Sequence, residues 1–228
     1  MSATAIALAL SLAVLAGLLA ILSAQGIARY RATRARVQLA WSAGLLLATA
    51  AMVIETLVFA GWVSSALLAA YVFLSAAIVG VLSLGAVRVF RSPRVERLYS
   101  GFVVGACALL AGACGLVPSP SSMVNGGVIT GNPAPILLVL SSLITFPATA
   151  VLLTASAIAL RRARKWPTLL MIAGALILGA GGTLYIASFP VALYYAEFLG
   201  IVLLFAGLIH LPHPVTGTAP TPAAPASN

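Results

Sequence analysis

The chain alternates between long apolar runs and short polar connections over its first 211 residues. Seven runs are long enough to matter: residues 3–24, 38–60, 63–87, 100–118, 134–160, 168–188 and 191–211. A helix needs about 20 residues to cross the hydrocarbon core of a bilayer. The pattern therefore predicts an all-α, polytopic integral membrane protein, with a seven-transmembrane-helix bundle over residues 1–211.

Composition strengthens this prediction. Of the 228 residues, 62% are hydrophobic and 7% are charged, and the mean hydropathy is +1.16. A soluble domain carries about 25% charged residues. The segment 212–228 differs from the runs, since it is rich in Pro and Ala, and we expect a disordered cytoplasmic tail there. The strong preference for Arg over Lys, with abundant Ala and Gly, suggests a bacterial protein from a GC-rich genome.

The formal net charge of +9 is concentrated in three short clusters between the runs. The clusters are Arg29, Arg31, Arg34 and Arg36; Arg88, Arg91, Arg94 and Arg97; and Arg161, Arg162, Arg164 and Lys165. They occupy the first, third and fifth connections, which lie on one side of a seven-span bundle. The positive-inside rule places that side in the cytoplasm, with the N-terminus outside and the C-terminus inside. We therefore expect a multi-pass protein of the plasma membrane that contacts anionic lipid headgroups on its cytoplasmic side and no nucleic acid.

The connections divide the runs into three, one and three. Each triplet has a basic connection after its first run and a very short connection after its second, at Gly61-Trp62 and at Phe189-Pro190. This possible 3+1+3 organisation resembles that of SWEET-type sugar transporters, which join two parallel triplets by one inverting helix. The resemblance concerns topology alone, because the Pro-Gln motif of that family is absent. The first run could instead be a cleaved signal peptide, but no basic residue precedes it, which favours a span.

Two carboxylates lie inside the apolar runs. Glu55 lies about six residues before the outer end of the second span, and Glu197 about six residues after the outer start of the seventh. At 1.5 Å per residue both lie roughly 9 Å below the outer boundary. Glu55 continues a stripe of small residues, Gly44, Ala48 and Ala51, and such stripes mark faces on which membrane helices pack. We expect both carboxylates to point into the bundle, because exposing them to lipid would be costly.

Several hydroxyl groups are expected at similar depths. The candidate ligand-binding or proton-coupling residues are Glu55, Glu197, Tyr71, Tyr185, Tyr194 and Thr145. Together they would form a polar pocket in the outer leaflet, in which the carboxylates favour their neutral forms and could share a proton. The alternative is that each Glu is a protonated structural group bonded to a neighbouring Tyr or Ser.

Several chemistries lack the residues they need. The single lysine of the chain, Lys165, falls in a basic connection, so a Schiff base with retinal cannot form inside the bundle. The two histidines of the chain, His210 and His213, lie together at the inner end of the last span without further ligands, which argues against bis-His haem ligation within one subunit and against a metal site. An HExxH motif and a P-loop are also absent, so the residues favour a protein without catalysis of its own, and no catalytic residue is assigned. The open alternative is an intramembrane enzyme that acts on lipid and uses the two carboxylates as acid and base.

The favoured function is therefore a receptor-like or accessory protein that binds a small or lipophilic ligand in the outer-leaflet pocket without catalysis. One alternative is a transporter of the 3+1+3 type for a small molecule, coupled to protons through Glu55 or Glu197. Another is a structural subunit of a larger membrane complex, or a homo-oligomer. Neither the identity of the ligand nor a cofactor follows from the residues.

Overall fold

The computed structural model shows a helical protein. It describes residues 3–34, 36–125, 128–129, 133–163, 166–167, 169–170, 172–174, 176–177 and 190–209. The helices are α1 (Ala3–Thr33), α2 (Arg36–Phe59), α3 (Ser65–Ala86), α4 (Pro93–Leu116), α5 (Pro135–Ala163) and α6 (Pro190–Ile209). Short helical stretches also occur among the described residues of 166–177.

Within the described residues, five helical segments are long and apolar enough to cross a membrane. They are Leu12–Ala32, Val37–Phe59, Ser65–Phe90, Pro93–Leu116 and Pro135–Ile158. The all-helical class is confirmed, and these segments indicate a multi-pass membrane protein. The count of seven spans, the 3+1+3 arrangement and the N-out orientation stay predictions. The tail 212–228 lies outside the described residues.

Local sequence signals explain where the helices begin and end. Gly61 adopts a φ of 94° in the turn after α2, a conformation that favours glycine. The hydroxyl of Ser64 then accepts a hydrogen bond from the Leu67 backbone N–H and caps α3. Between α3 and α4 the chain makes a 3₁₀ turn, Val87–Phe90, and Arg91 takes a left-handed conformation. Ser92 caps α4, whose first residue is Pro93, a favourable position for proline.

Helix α4 begins seven residues earlier than the apolar run that predicted it. The run was expected to start at residue 100, whereas the helix starts at Pro93 and includes Arg94, Glu96 and Arg97. A search for apolar runs detects only the part of a helix that would lie in the hydrocarbon core of a bilayer. The polar turn beyond it is also helical because its cap and its proline favour helix.

Helices α2 and α3 form the centre of the bundle. Over half of the spanning segment of α3 is buried (56%), compared with 17% for α4 and 22% for α5. The helices α1 and α3 both pack against α2, and both α4 and α5 pack against α3. The exposed sides of α1, α4 and α5 carry large apolar side chains, among them Leu18, Leu109 and Phe146. Such a surface suits contact with lipid tails.

Glycines bring the central helices close together. A Cβ atom at Gly44 of α2 would lie 2.5 Å from Cδ2 of Leu82 on α3, where ordinary contacts are about 3.5–4.0 Å. A Cβ at Gly80 of α3 would lie 3.0 Å from Cγ2 of Ile144 on α5 and 3.3 Å from Cγ1 of Val103 on α4. These positions need glycine because the neighbouring helices occupy the space of a side chain.

Buried hydroxyl groups add polar contacts between helices. The hydroxyl of Ser23 on α1 donates to the backbone carbonyl of Ser42 on α2, at 3.0 Å. On α3, the Ser83 hydroxyl lies 2.7 Å from the hydroxyl of Tyr99 on α4 and donates or accepts there. Hydrogen bonds of this kind stabilise membrane helix pairs by about 0.6 kcal/mol on average.

The described arginines gather at one end of the bundle, which we call the arginine end. The α1–α2 turn at Arg34 and the α3–α4 turn at residues 87–92 lie there, because the three short connections make α1 to α4 run alternately up and down. Helix α5 contacts the 3₁₀ turn Val87–Phe90, and Arg161 lies near the C-terminus of α5. The opposite end carries the Gly61 turn and the connection between α4 and α5, and we call it the loop end.

Candidate functional site

Glu55 is buried inside the bundle. Its exposed fraction is 2%, and the residues around it in α2 are mostly apolar or small. The expectation that this side chain avoids the lipid-facing surface therefore agrees with its position. Burying a carboxyl group in an apolar helix costs free energy, which makes Glu55 the leading candidate for a functional residue.

The sequence of α2 accounts for this orientation. Most of the buried residues of the helix recur at three- and four-residue intervals and form one face: Trp41, Gly44, Leu45, Ala48, Ala51, Met52, Glu55 and Val58. Residues at this spacing share one side of an α-helix. The predicted stripe of Gly44, Ala48, Ala51 and Glu55 is part of that face. The small residues let α3 approach, and Glu55 follows them toward the loop end.

Tyr71 lies at a comparable depth on the adjacent helix. It is also 2% exposed, and it is six residues, or about 9 Å, from the start of α3. Glu55 is four residues, or about 6 Å, from the end of α2. Because α2 and α3 are antiparallel neighbours, the carboxyl group and the phenol lie in the same layer of the bundle. Each group can donate or accept a hydrogen bond.

The connection between α4 and α5 covers the loop end. It contains a short 3₁₀ helix, Ser121–Met123, and a two-residue antiparallel pair of strands, β1 (Val124–Asn125) and β2 (Val128–Ile129). The side chains of Met123 and Ile129 have exposed fractions of 0% and 1%. Both belong to the same apolar core as Val58 and Tyr71.

Two contacts hold this connection on the central helices. Strand β2 packs against α2. The backbone N–H of Ser119 donates to the hydroxyl of Ser65, the first residue of α3, at 3.0 Å. Ser119 itself is buried, with an exposed fraction of 4%. The described residues of this connection therefore pack on the end of the bundle where Glu55 lies.

The remaining predicted residues are only partly described. Thr145 is half-buried on α5, next to the fully buried Ile144. Tyr185 lies outside the described residues, and so do the side chains of Tyr194 and Glu197, although both belong to α6. Helix α6 contributes Ile201 to the core that contains Tyr71. A meeting of Glu55 with Glu197 therefore stays a prediction.

The burial of Met123 and Ile129 was not predicted from the sequence, although the sequence contains a pattern that indicates it. Asn125 is followed by two glycines and flanked by Val124 and Val128, a pattern typical of a tight hairpin. Apolar residues on both sides of such a turn indicate that one side is buried. The composition of the loop, which is rich in Pro, Gly and Ser, hid these few apolar residues.

Metal binding finds no support in the described part of the chain, where no group of three His, Cys, Asp or Glu side chains comes together. Among the described residues, the loop end offers the buried carboxyl group of Glu55 and the phenol of Tyr71, in addition to the hydroxyl groups of Ser65 and Ser119. The carboxyl group and the phenol together can hold a hydrogen-bonding group or a cation.

Comparison of the chain with protein-family models, with curated proteins and with solved structures gave no match.

Proposed function

We propose that this protein binds a small or lipophilic ligand at the loop end of its bundle, with Glu55 as the polar contact. The observation that carries the proposal is the burial of Glu55 on the packed face of α2, where a carboxyl group is costly. Apolar and small residues occupy the rest of that face, so neither packing nor helix formation requires an acid at this position.

The core residues near the loop end define the class of ligand in this proposal. Ile54, Val58 and Leu68 are buried apolar residues of the same core, and Tyr71 adds one hydroxyl group. A ligand that matches them has an apolar body and one hydrogen-bonding or cationic group. Binding sites for small molecules commonly combine an apolar lining with a few polar groups in this way.

The connection over the loop end supplies the route of entry in this proposal. Met123 and Ile129 are its buried apolar anchors. In this proposal the two side chains leave the core to admit the ligand, and no helix has to unfold. Loops of this kind commonly carry binding functions on a rigid helical scaffold. Glu197 would join the site from α6, as the equal depths of the two carboxylates suggest.

The test compares what co-purifies with the wild type and with Glu55→Ala. Purified protein is extracted and the extract is measured by mass spectrometry, with Glu96→Gln at the arginine end as the matched control. We expect one compound near stoichiometry with wild type and with Glu96→Gln. Glu55→Ala should retain about two- to tenfold less of it, since a hydrogen bond to a neutral carboxyl group contributes about 0.5–1.5 kcal/mol.

Two results contradict the proposal: no compound bound to the wild type, or equal amounts bound to wild type and Glu55→Ala. Size-exclusion chromatography of each variant shows whether the protein remains folded and monodisperse. Flux of the compound in liposomes, lost with Glu55→Gln, would replace the binding role with the transporter role.

A further inference from the structure

The arginine end carries a large positive charge that acidic residues do not balance. The exposed arginines there are Arg31, Arg34, Arg91, Arg94, Arg97 and Arg161. Among the described residues, Glu96 is the carboxylate at this end. Its Oε1 lies 2.6 Å from Nη2 of Arg88, so this acid is already engaged by an arginine that is only half-exposed.

Helix geometry separates this ion pair from the exposed arginines of α4. Successive residues of an α-helix are rotated by about 100°. Glu96 is therefore about 160° away from Arg94 around the helix, and it points back toward the turn that holds Arg88. Arg94 and Arg97 are three residues apart, so they are neighbours on one face, about 5–6 Å apart at their Cβ atoms.

The face that carries Arg94 and Arg97 points away from the bundle. Val103, Ala106 and Leu110 form the buried side of α4, on the opposite side of the helix. Beyond the two arginines the outward face continues with Gly101 and Gly105 into the apolar part of the helix. A Cβ atom at either glycine would have no neighbouring atom within 4 Å. Within the described part of the chain, no helix packs against this face at Gly101 or Gly105.

We propose that the outward face of α4 binds one anionic phospholipid, with its phosphate at Arg94 and Arg97 and its acyl chains along the exposed apolar part of the helix. Arg91, in the left-handed turn before α4, adds a third positive charge beside them. Guanidinium groups suit this role because each can donate two parallel hydrogen bonds to a phosphate.

Charge complementarity favours a lipid over a second copy of the chain. A dimer formed through this face of α4 around a two-fold axis would bring Arg94 and Arg97 against the same residues of its partner. Like charges at that contact oppose association. An anionic headgroup at the end of an apolar helix satisfies the same charges, since it lies at the level where the polar turn of α4 leaves the hydrocarbon.

The experiment measures lipid binding by native mass spectrometry of the full-length protein in detergent. Phosphatidylglycerol and phosphatidylcholine with identical acyl chains are titrated separately. The variants are Arg94→Gln with Arg97→Gln, and a matched control, Arg88→Gln with Glu96→Gln. The control removes two charged side chains from the same end of the bundle but leaves the net charge unchanged.

We expect the wild type to prefer phosphatidylglycerol. The Arg94 and Arg97 double variant should bind it about fivefold more weakly for each arginine lost, from the usual contribution of a basic residue near an anionic surface. The control should keep the wild-type preference, and inorganic phosphate should not displace the lipid. Thermal unfolding of each variant shows whether it is folded.

Several results would overturn the proposal. One is an unchanged preference for phosphatidylglycerol in the double variant; another is an equal loss in the control. Displacement by inorganic phosphate would identify a site for the free anion instead. A dimer that dissociates when Arg94 and Arg97 are replaced would show that the face binds a second copy.

Discussion

Gly44 is the position where the packing of α2 against α3 can be tested most sharply. A Cβ atom there would lie 2.5 Å from Cδ2 and 2.8 Å from Cγ of Leu82. Carbon atoms in contact prefer about 3.5–4.0 Å, so the two helices or the Leu82 side chain must move by roughly 1 Å. Leu82 is 1% exposed and has little space into which to move.

The expected cost follows from comparison with a glycine that has open space around it. Overpacking a well-packed core typically costs about 1–3 kcal/mol. Replacing glycine by alanine in a helix also gains up to about 1 kcal/mol, because alanine favours helix more. Gly105→Ala on α4 has that gain without a clash, since no atom lies within 4 Å of its Cβ. The difference between the two variants therefore isolates the packing cost, at about 1–3 kcal/mol.

Thermal unfolding in detergent, followed by tryptophan fluorescence, measures this difference. Trp41 is 3% exposed, so its emission changes when the core opens. For a chain of this size, 1 kcal/mol corresponds to about 2–4 °C in the unfolding temperature. Gly44→Ala should therefore unfold about 2–12 °C below Gly105→Ala. Unfolding of Gly44→Ala at or above the temperature of Gly105→Ala would refute the close approach of α2 and α3.

Two further predictions concern the Ser83–Tyr99 contact and the connection over the loop end. Ser83→Ala and Tyr99→Phe should each lower the free energy of unfolding by about 0.5–1.5 kcal/mol. The double variant should lose less than the sum of the two, because all three variants lose the same hydrogen bond. Additive losses in this double-mutant cycle would contradict the contact. Ile129→Ala should make the connection more sensitive to proteinase K, because loss of a fully buried Ile side chain costs about 2–5 kcal/mol. The matched control is Ile136→Ala, whose side chain is 53% exposed, and equal cleavage of both variants would contradict the burial of Ile129.

The proposed ligand site and the proposed lipid site lie at opposite ends of the bundle and share no residue. Glu55 belongs to the packed face of α2, near the loop end, whereas Arg94 and Arg97 belong to the outward face of α4. Their tests are therefore independent. Loss of lipid preference without change in the compound bound at Glu55 would support the second proposal and leave the first unaffected.

The sequence by itself determined that the protein is helical and that it contains several segments long and apolar enough to cross a membrane. The thickness of a bilayer requires runs of about 20 apolar residues, and such runs are visible without any structure. The inward orientation of Glu55 was also predictable, because exposing a carboxyl group to lipid costs more free energy than burying it on the packed face with Gly44, Ala48 and Ala51. Helix ends were less visible, as Pro93 shows, since a polar turn outside the hydrocarbon is still helical.

Only the tertiary structure decided which helices are central and what covers the loop end. Lipid tails and a protein core are equally apolar, so the pattern of an apolar helix does not distinguish its packed side from its lipid side. For that reason the central place of α3, and the outward side of α4 with its exposed Gly101 and Gly105, did not follow from the pattern. The burial of Met123 and Ile129 depends on the surface that α2 and α3 present together, and no single stretch of sequence specifies that surface.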